Sequence, residues 1–229
     1  MFLNRRVLQA EYFDEPDRPQ AELAEAYQTL ARFNRLFSLG RSFKQILPKT
    51  LGAERCRSLS LLDLGAGDGS LGNDLACWAA EKGWNWQITN LDLNLRALQL
   101  NRAHTAVAGS ALALPFRDHS FDVVVASQMT HHFMTDSEVC LHFKEAWRVT
   151  RNLLVITDVH RNFAFYLALV LVLRFYGVPR HFLSDALLSV RRGWRVPEWK
   201  SLAAQAGILD PKIWLYAGTR MMLEARRQI

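Results

Sequence analysis

The sequence predicts an α/β fold: a mostly parallel, seven-stranded sheet with helices on both faces, closed by an antiparallel C-terminal hairpin. Three observations carry this expectation. Between Leu61 and Asp158 short apolar runs alternate with helical periodicities, which is the pattern of βαβ units. The run LLDLGAGDGS, Leu61 to Ser70, places three glycines at alternate positions directly after an apolar strand. Near the end of the chain KIWLY and RMMLEA flank AGT, which reads as two antiparallel strands and a turn.

The elements follow in order. From Gln20 to Gly40, apolar side chains at Leu23, Tyr27, Leu30, Phe33 and Phe37 line one face of a helix, with Gly40 placed to close it. Strands are expected at Leu61–Leu64, Trp86–Leu91, Thr105–Ala108, Phe121–Ala126 and Asn152–Asp158. The helix after the glycines buries Leu71, Leu75 and Trp78 and stops at Gly83. Thr135 and Glu138 form a capping box for a helix whose Val139, Phe143, Ala146 and Trp147 face inward. Pro197 and Gly207 bracket a last helix, matching the preference for proline at the first turn and glycine after the last. The chain of 229 residues, half of them hydrophobic, suits one domain. It divides into a helical extension (1–50), a core (51–159), an apolar and basic insertion (160–196) and a terminal helix with hairpin (197–229).

Charge and cysteine content exclude several classes. The net charge is +6, but the basic residues form no run of five or six, so nucleic acid is not an expected partner. Cys56, Cys77 and Cys140 are odd in number and far apart, which argues against a disulfide framework or zinc knuckle and for a reducing cytoplasm. The first twenty residues carry arginines without the apolar stretch of a cleaved signal peptide.

A glycine loop between a buried strand and a helix lets a ligand reach the main chain, where the helix N-terminus offers free N–H groups. Gly65, Gly67 and Gly69 give G-x-G-x-G, with Ser70 where the dinucleotide fingerprint has its third glycine; this counts against a nicotinamide or flavin enzyme. Asp92 ends the second strand, where a carboxylate can accept from both hydroxyls of a ribose. Asp63, just before the first glycine, suits a cationic ligand and repels a pyrophosphate. A nucleoside with a positive charge fits all of these.

At these residues the sequence resembles the class I S-adenosylmethionine-dependent methyltransferases. LLDLGAGDGS is similar to their first motif, LDLN to the acidic ribose-binding strand end, and AGSALALPFRDHSFDVVVASQMTHHF to the next two, as in small-molecule and quinone-type members. The resemblance covers roughly Leu61 to Asp158 and implies a Rossmann-like fold and S-adenosylmethionine as cofactor. It implies that Asp63, Gly65, Gly67 and Gly69 hold the methionine half, that Asp92 holds the ribose, and that Leu93 packs on the adenine. Ser110 and Ala111 stand where relatives have an aspartate before an alanine, so the contact to the adenine amino group is neutral here. Ser127, at the end of the fourth strand, completes the expected cofactor set.

Ligands of open α/β sheets bind beyond the carboxyl ends of the strands. After the fourth strand come Met129, Thr130, His131 and His132; after the fifth come Asp158, His160 and Arg161. Methyl transfer to a phenol or enol needs a base, and a neutral histidine is poised for that near pH 7. His132 and His131 are the first candidates, then His160. A histidine that packs under the loop and donates to a carbonyl is an equal alternative for the pair, and Asp158 either orients a histidine or caps the turn. No metal site is expected, because His131, His132, His142 and His160 lack HExxH or C-x-x-C spacing. Glu145 and Arg148 read as helix-surface partners.

The insertion holds eleven uncharged, almost wholly apolar residues, Phe163 to Leu173, well short of the ~20 that cross a bilayer. Between Arg161 and Lys200 there are seven basic residues against two acidic ones. Two readings stand beside a plain buried helix with a solvated basic edge. A cap would show apolar side chains to a small lipophilic acceptor, with Arg161, Arg191, Arg192 or Arg195 attracting an acidic group on it. Alternatively, residues 161–195 make peripheral contact with anionic lipid. The position of the insertion favours the cap, and the N-terminal helix bearing Tyr27 closes the pocket from the other side. The acceptor expected is a phenol, polyketide-like or quinol-like compound methylated on oxygen. Carbon methylation of an activated ring comes next, then RNA or protein methylation, then a cofactor-binding protein without turnover, at which Ser110 hints.

Overall fold

The computed structural model describes residues 3–14, 19–36, 39–100 and 103–227. Residues 3–14 form a strap that ends in a 3-10 turn at Tyr12–Asp14. The helices are α1 (Gln20–Leu36), α2 (Leu39–Leu51), α3 (Ala53–Cys56), α4 (Ser70–Glu81), α5 (Leu95–Leu98), α6 (Asp136–Val149), α7 (Phe163–Phe175), α8 (Arg180–Arg192) and α9 (Val196–Gln205). The strands are β1 (Ser58–Leu64), β2 (Asn85–Asp92), β3 (Thr105–Ala108), β4 (Phe121–Ser127), β5 (Thr150–Val159), β6 (Lys212–Tyr216) and β7 (Arg220–Arg226).

These strands form one sheet in the order β3-β2-β1-β4-β5-β7-β6. The first five run parallel, and β7 inserts antiparallel between β5 and β6. The central strands are buried on both sides, as parallel strands flanked by helices must be, so their sequences are nearly continuous in apolar residues. Successive side chains feed two cores. Leu62, Leu64, Val124 and Ile156 meet Phe143 of α6 and Trp199 of α9 on one face. Leu61, Val123, Val125 and Val155 meet Phe43 and Leu47 of α2 and Leu75 of α4 on the other. Trp199 is fully buried, its ring edge-on to Phe143 at 5.6 Å between centroids.

The expected strands occur in their expected order, with two starts moved. β1 begins three residues earlier, because Ser58 to Ser60 pair with Asn85 to Gln87 despite their polarity. β5 begins at Thr150, whose hydroxyl donates to the Ala146 carbonyl at 2.7 Å and joins α6 to the strand without a loop. The helix expected from Gln20 is described to Leu36, and Gly40, expected to close it, instead lies inside α2. Gly40 lies in the first turn of α2, where a Cβ would run into the Asp74 carboxylate of α4; the glycine serves close packing rather than a cap. Phe37 lies outside the described residues.

Candidate active site

The strand order reverses between β1 and β4, and the crevice outside the carboxyl ends of these strands is where open α/β sheets bind ligands. The glycine loop lines it. Gly65 and Gly67 have φ of 64° and 57°, the left-handed region that side chains disfavour, and each lies against a neighbour: Met129 at Gly65 and the Tyr27 ring at Gly67. The Asp92 carboxylate spans the crevice, accepting from the Gly67 N–H at 2.8 Å and the Asn94 N–H at 2.7 Å. Asp63 is fully buried beneath the loop, and its Oδ2 has no hydrogen-bond partner. Burial, with the neighbouring Asp92 charge, pushes its pKa up to about 8. A buried carboxyl group with an oxygen that no described residue bonds thus lies under a loop where only bare backbone fits. Leu93, next to Asp92, is 78 % exposed.

At the end of β4, Gln128 takes φ 57° and its N–H donates to the Thr157 carbonyl at 2.9 Å, so the chain turns sharply into a 3-10 turn at Thr130–His132. A left-handed non-glycine residue beside a ligand crevice is strain held in place by its surroundings. The two histidines then part company. His131 is buried; its Nδ1 lies 2.6 Å from Asp158 and its main-chain N–H donates to the same carboxylate at 2.7 Å. Its Nε2 faces Glu11 of the strap at 3.5 Å. Burial opposes a charge on this ring, but Asp158 and then Glu11 outweigh it and lift the pKa to about 10. His131 is therefore an imidazolium at neutral pH, with both nitrogens engaged. His132 is part-exposed, and its Nδ1 is 2.6 Å from Asp14 of the strap. Burial works against ionised Asp14, yet His132 and Arg192 hold its pKa well below the usual carboxylate range.

Tyr27 of α1 lies against the crevice, its ring at Gly67. Burial raises its hydroxyl pKa, and the charges of Asp92, Asp68 and Asp14 add to this. Met129, just past β4, connects the two halves: its side chain packs on Gly65, and its carbonyl accepts from the His132 N–H at 3.0 Å. Asp14 and Glu11 carry no sequence signal for this site, and Arg192, expected to face the acceptor, instead bonds Asp14. Asp14 is 118 residues from His132, and no spacing rule links them.

The remaining expected residues are dispersed. His160 lines a groove of about 470 Å3 with Leu3, Arg161, Phe163 and Arg195, away from the histidine pair, and burial lowers its pKa. The Ser110 hydroxyl accepts from the Leu112 N–H at 3.1 Å within its own turn, and Ala111 is buried behind it. Ser127 pairs with Thr157 at the end of β4. Arg161 and Arg192, expected to attract an acidic acceptor, are fully committed inside the protein. Arg161 bonds the Leu3 and Gly193 carbonyls and Glu198. Arg192 bonds the His131 and His132 carbonyls and Asp14. Arg148 does more than pair with Glu145: its guanidinium also holds the Leu114 and Phe116 carbonyls and Asp118, pinning the loop that follows β3.

Glu11, His131 and His132 bring possible metal-ligating atoms within 4.8 Å of one another, a grouping that linear spacing does not reveal. The Arg192 guanidinium, 3.6 Å from Glu11, already supplies a cation there. His142 takes no part: it is fully buried between Phe133 and Phe143, and burial lowers its pKa to about 4.

Residues 62–153 match the family model described as a methyltransferase domain, a span that runs from β1 into β5 and contains the glycine loop, Asp92 and the histidine turn. Over this span the chain is similar to a class I S-adenosylmethionine-dependent methyltransferase domain. A demethylmenaquinone methyltransferase of Roseiflexus castenholzii is 31% identical over 147 residues, which are 62% of this chain and 57% of that protein. The chain thus spans little more than half the length of that relative. Among solved structures, human N-acetylserotonin methyltransferase in complex with S-adenosylmethionine superposes with TM-score 0.63 at 15% identity, over 96% of this chain and 59% of that one. Magnesium protoporphyrin IX methyltransferase of Synechocystis, also bound to S-adenosylmethionine, gives 0.55 at 12% identity, over 86% and 84%. At such identities the structures bear out the methyltransferase fold.

Proposed function

We propose that the protein transfers a methyl group from S-adenosylmethionine to a hydroxyl oxygen of a small lipophilic acceptor, with His132 as the base. The observation that carries this is the Asp14–His132 pair just past the carboxyl end of β4, joined to the glycine crevice through Met129. Asp63, the loop from Gly65 to Gly69, and Asp92 hold the cofactor, which supplies an electrophilic methyl group on a sulfonium when bound. Asp14 accepts the Nδ1 proton of His132 and so fixes the tautomer that leaves Nε2 free to receive the acceptor's hydroxyl proton. Transfer of that proton to His132 would leave on the acceptor oxygen the lone pair with which it takes the methyl group. His131, protonated and clamped by Asp158 and Glu11, positions the turn that carries His132. Met129 and Tyr27 narrow the crevice and exclude water, so that orientation supplies much of the rate.

The acceptor class draws support from the relatives. Demethylmenaquinone, N-acetylserotonin and magnesium protoporphyrin IX, named for the three proteins above, are all small molecules, and the first is a lipophilic quinone. The likeness to the demethylmenaquinone enzyme favours one second reading, methylation at a ring carbon of a quinol-like acceptor, for which His132 would remove a ring hydroxyl proton to activate the carbon. Such acceptors partition into membranes, so the proposal includes peripheral contact through residues 161–195.

Incubating the protein with methyl-labelled cofactor and an extract fractionated into lipid-soluble small molecules, RNA and protein tests this reading. Label should enter the lipid-soluble fraction, at an oxygen. His132→Ala should lower kcat by roughly 10²- to 10³-fold, with the rise in Tm caused by S-adenosylhomocysteine unchanged. Asp14→Asn should lower kcat less and leave KM alone, with recovery in Asp14→Glu. Label confined to RNA, or full turnover by His132→Ala, would overturn the proposal.

A further inference from the structure

Helix α7 carries an apolar face that the described residues leave exposed. Phe163, Leu167, Leu171 and Phe175 recur every four residues, so they stack along one side of the helix. Their exposures are 58 %, 47 %, 71 % and 86 %. Ala164 and Ala168 are exposed beside them. The opposite side of α7 is spent on packing, with Leu173 buried. At the tip Tyr176 is 54 % exposed, while its inner edge meets Phe33 of α1 at 5.9 Å. Phe33 also stacks on Phe182 of α8, so the tip stands on a firm base. A contiguous apolar strip about 18 Å long, ending in two exposed aromatic rings, exceeds the scattered exposed leucines of an ordinary surface.

The charges around this strip identify its occupant. Arg174 and Arg180 flank the tip and are exposed, and neither is held by another described residue. No aspartate or glutamate occurs from Val159 to Ser184, and Asp185, the next acidic residue, is buried. A protein partner of similar polarity would need its own acidic rim around a greasy centre. An anionic bilayer offers both at once, phosphates for the arginines and acyl chains for the rings. Among the described residues no helix is long and apolar enough to cross a membrane, so α7 would lie along the surface.

We propose that the outer face of α7 and its aromatic tip form a docking surface for an anionic phospholipid bilayer. Phe163 belongs both to this face and to the groove lined by His160 and Arg195, so the bound lipid surface adjoins an opening at the end of β5. As a delivery route for lipophilic acceptors this rests on the function proposed above, whereas the docking itself rests on the α7 face alone.

Flotation of the full chain with vesicles decides it. The protein should float with phosphatidylcholine vesicles containing about a third phosphatidylglycerol, bind pure phosphatidylcholine several-fold less, and lose binding as salt screens the arginines. The pair Leu171→Asp with Phe175→Asp should cut binding roughly tenfold, and Arg174→Glu with Arg180→Glu should abolish the preference for anionic lipid. Leu209→Asp, at a leucine equally exposed but beyond α9, should change nothing. The rise in Tm with S-adenosylhomocysteine, measured on each variant, reports the folded cofactor site separately, so a failure of docking and a failure of the methyltransferase reading remain distinct. No flotation, flotation unaffected by the α7 substitutions, or a concentration-dependent dimer abolished by Leu171→Asp would overturn the proposal; the last would assign the face to a second copy.

Discussion

Asp63 sits where an ionised carboxylate is costly, with an oxygen that nothing else in the fold satisfies. Its folded pKa, about 8, lies above its ordinary 3.8, so the protonated form is favoured on folding. The stability this gives is complete below about pH 3.8 and is lost as the pH rises through 8. Asp63→Asn should therefore raise the Tm of the ligand-free protein at pH 8 while erasing most of the further rise given by S-adenosylhomocysteine. If the variant binds the ligand as tightly as the parent, the buried carboxylate has no part in the cofactor site. Asp92→Ala should also abolish the ligand-induced shift, and the loss of its bond to the Gly67 N–H should loosen the loop as well. The glycine turn and its neighbouring carboxylates were legible in the sequence because they lie within a short stretch of chain. Asp14 and Glu11 were not: they matter through histidines more than a hundred residues away, and only the folded strap brings them there.

Local signals resolved most of the individual elements, and one helix start shows why. Thr135 accepts from the Glu138 N–H, and the Glu138 carboxylate accepts from the Thr135 N–H, the reciprocal bonds that T-x-x-E implies. Thr135→Ala should destabilise the protein by about 1 kcal/mol, read as a lower midpoint in urea with unchanged slope. The cap residue lies three residues after His132, so the cap also steadies the turn that carries the histidines. Trp199→Ala is a harsher change, because it empties a fully buried ring site between α9 and Phe143; a loss of about 3–5 kcal/mol is expected. The continuation of helix through Gly40 escaped local signals, since Gly40 looks like a terminator until Asp74 of another helix is seen beside it. The start of β1 escaped for a related reason: pairing with β2 overrides the polarity of Ser58 and Ser60.

Across the whole molecule, one ion-pair network ties the strap to the sheet and to α8. Glu11 and Asp14 have pKa values below their ordinary 4.5 and 3.8, so their contribution is present above those values and is lost as the pH falls through the lowered ones. His131 is raised from 6.5 to about 10, so its contribution is complete below 6.5 and is lost as the pH climbs through 10. The network as a whole therefore stabilises most between about pH 4.5 and 6.5. Thermal melts should show Tm falling between pH 7 and 10, partly through His131 and partly through Asp63. In His131→Gln the fall should be shallower, and an unchanged slope would mean that the imidazolium is not part of the folded network.

The strap has a further consequence for how the protein comes into being. Arg6 donates to the Arg192 carbonyl 186 residues away, and its guanidinium lies over the Trp194 ring at 3.5 Å. Asp14 and Glu11 find their partners at His131, His132 and Arg192 over similar distances along the chain. The residues a ribosome makes early in this span must wait for those made near its end, and contacts so remote in sequence are among the slowest to close. The strap is thus made before every partner it holds, so Glu11 and Asp14 stay unpaired until the turn at His131 and His132 and then Arg192 have followed them out of the ribosome.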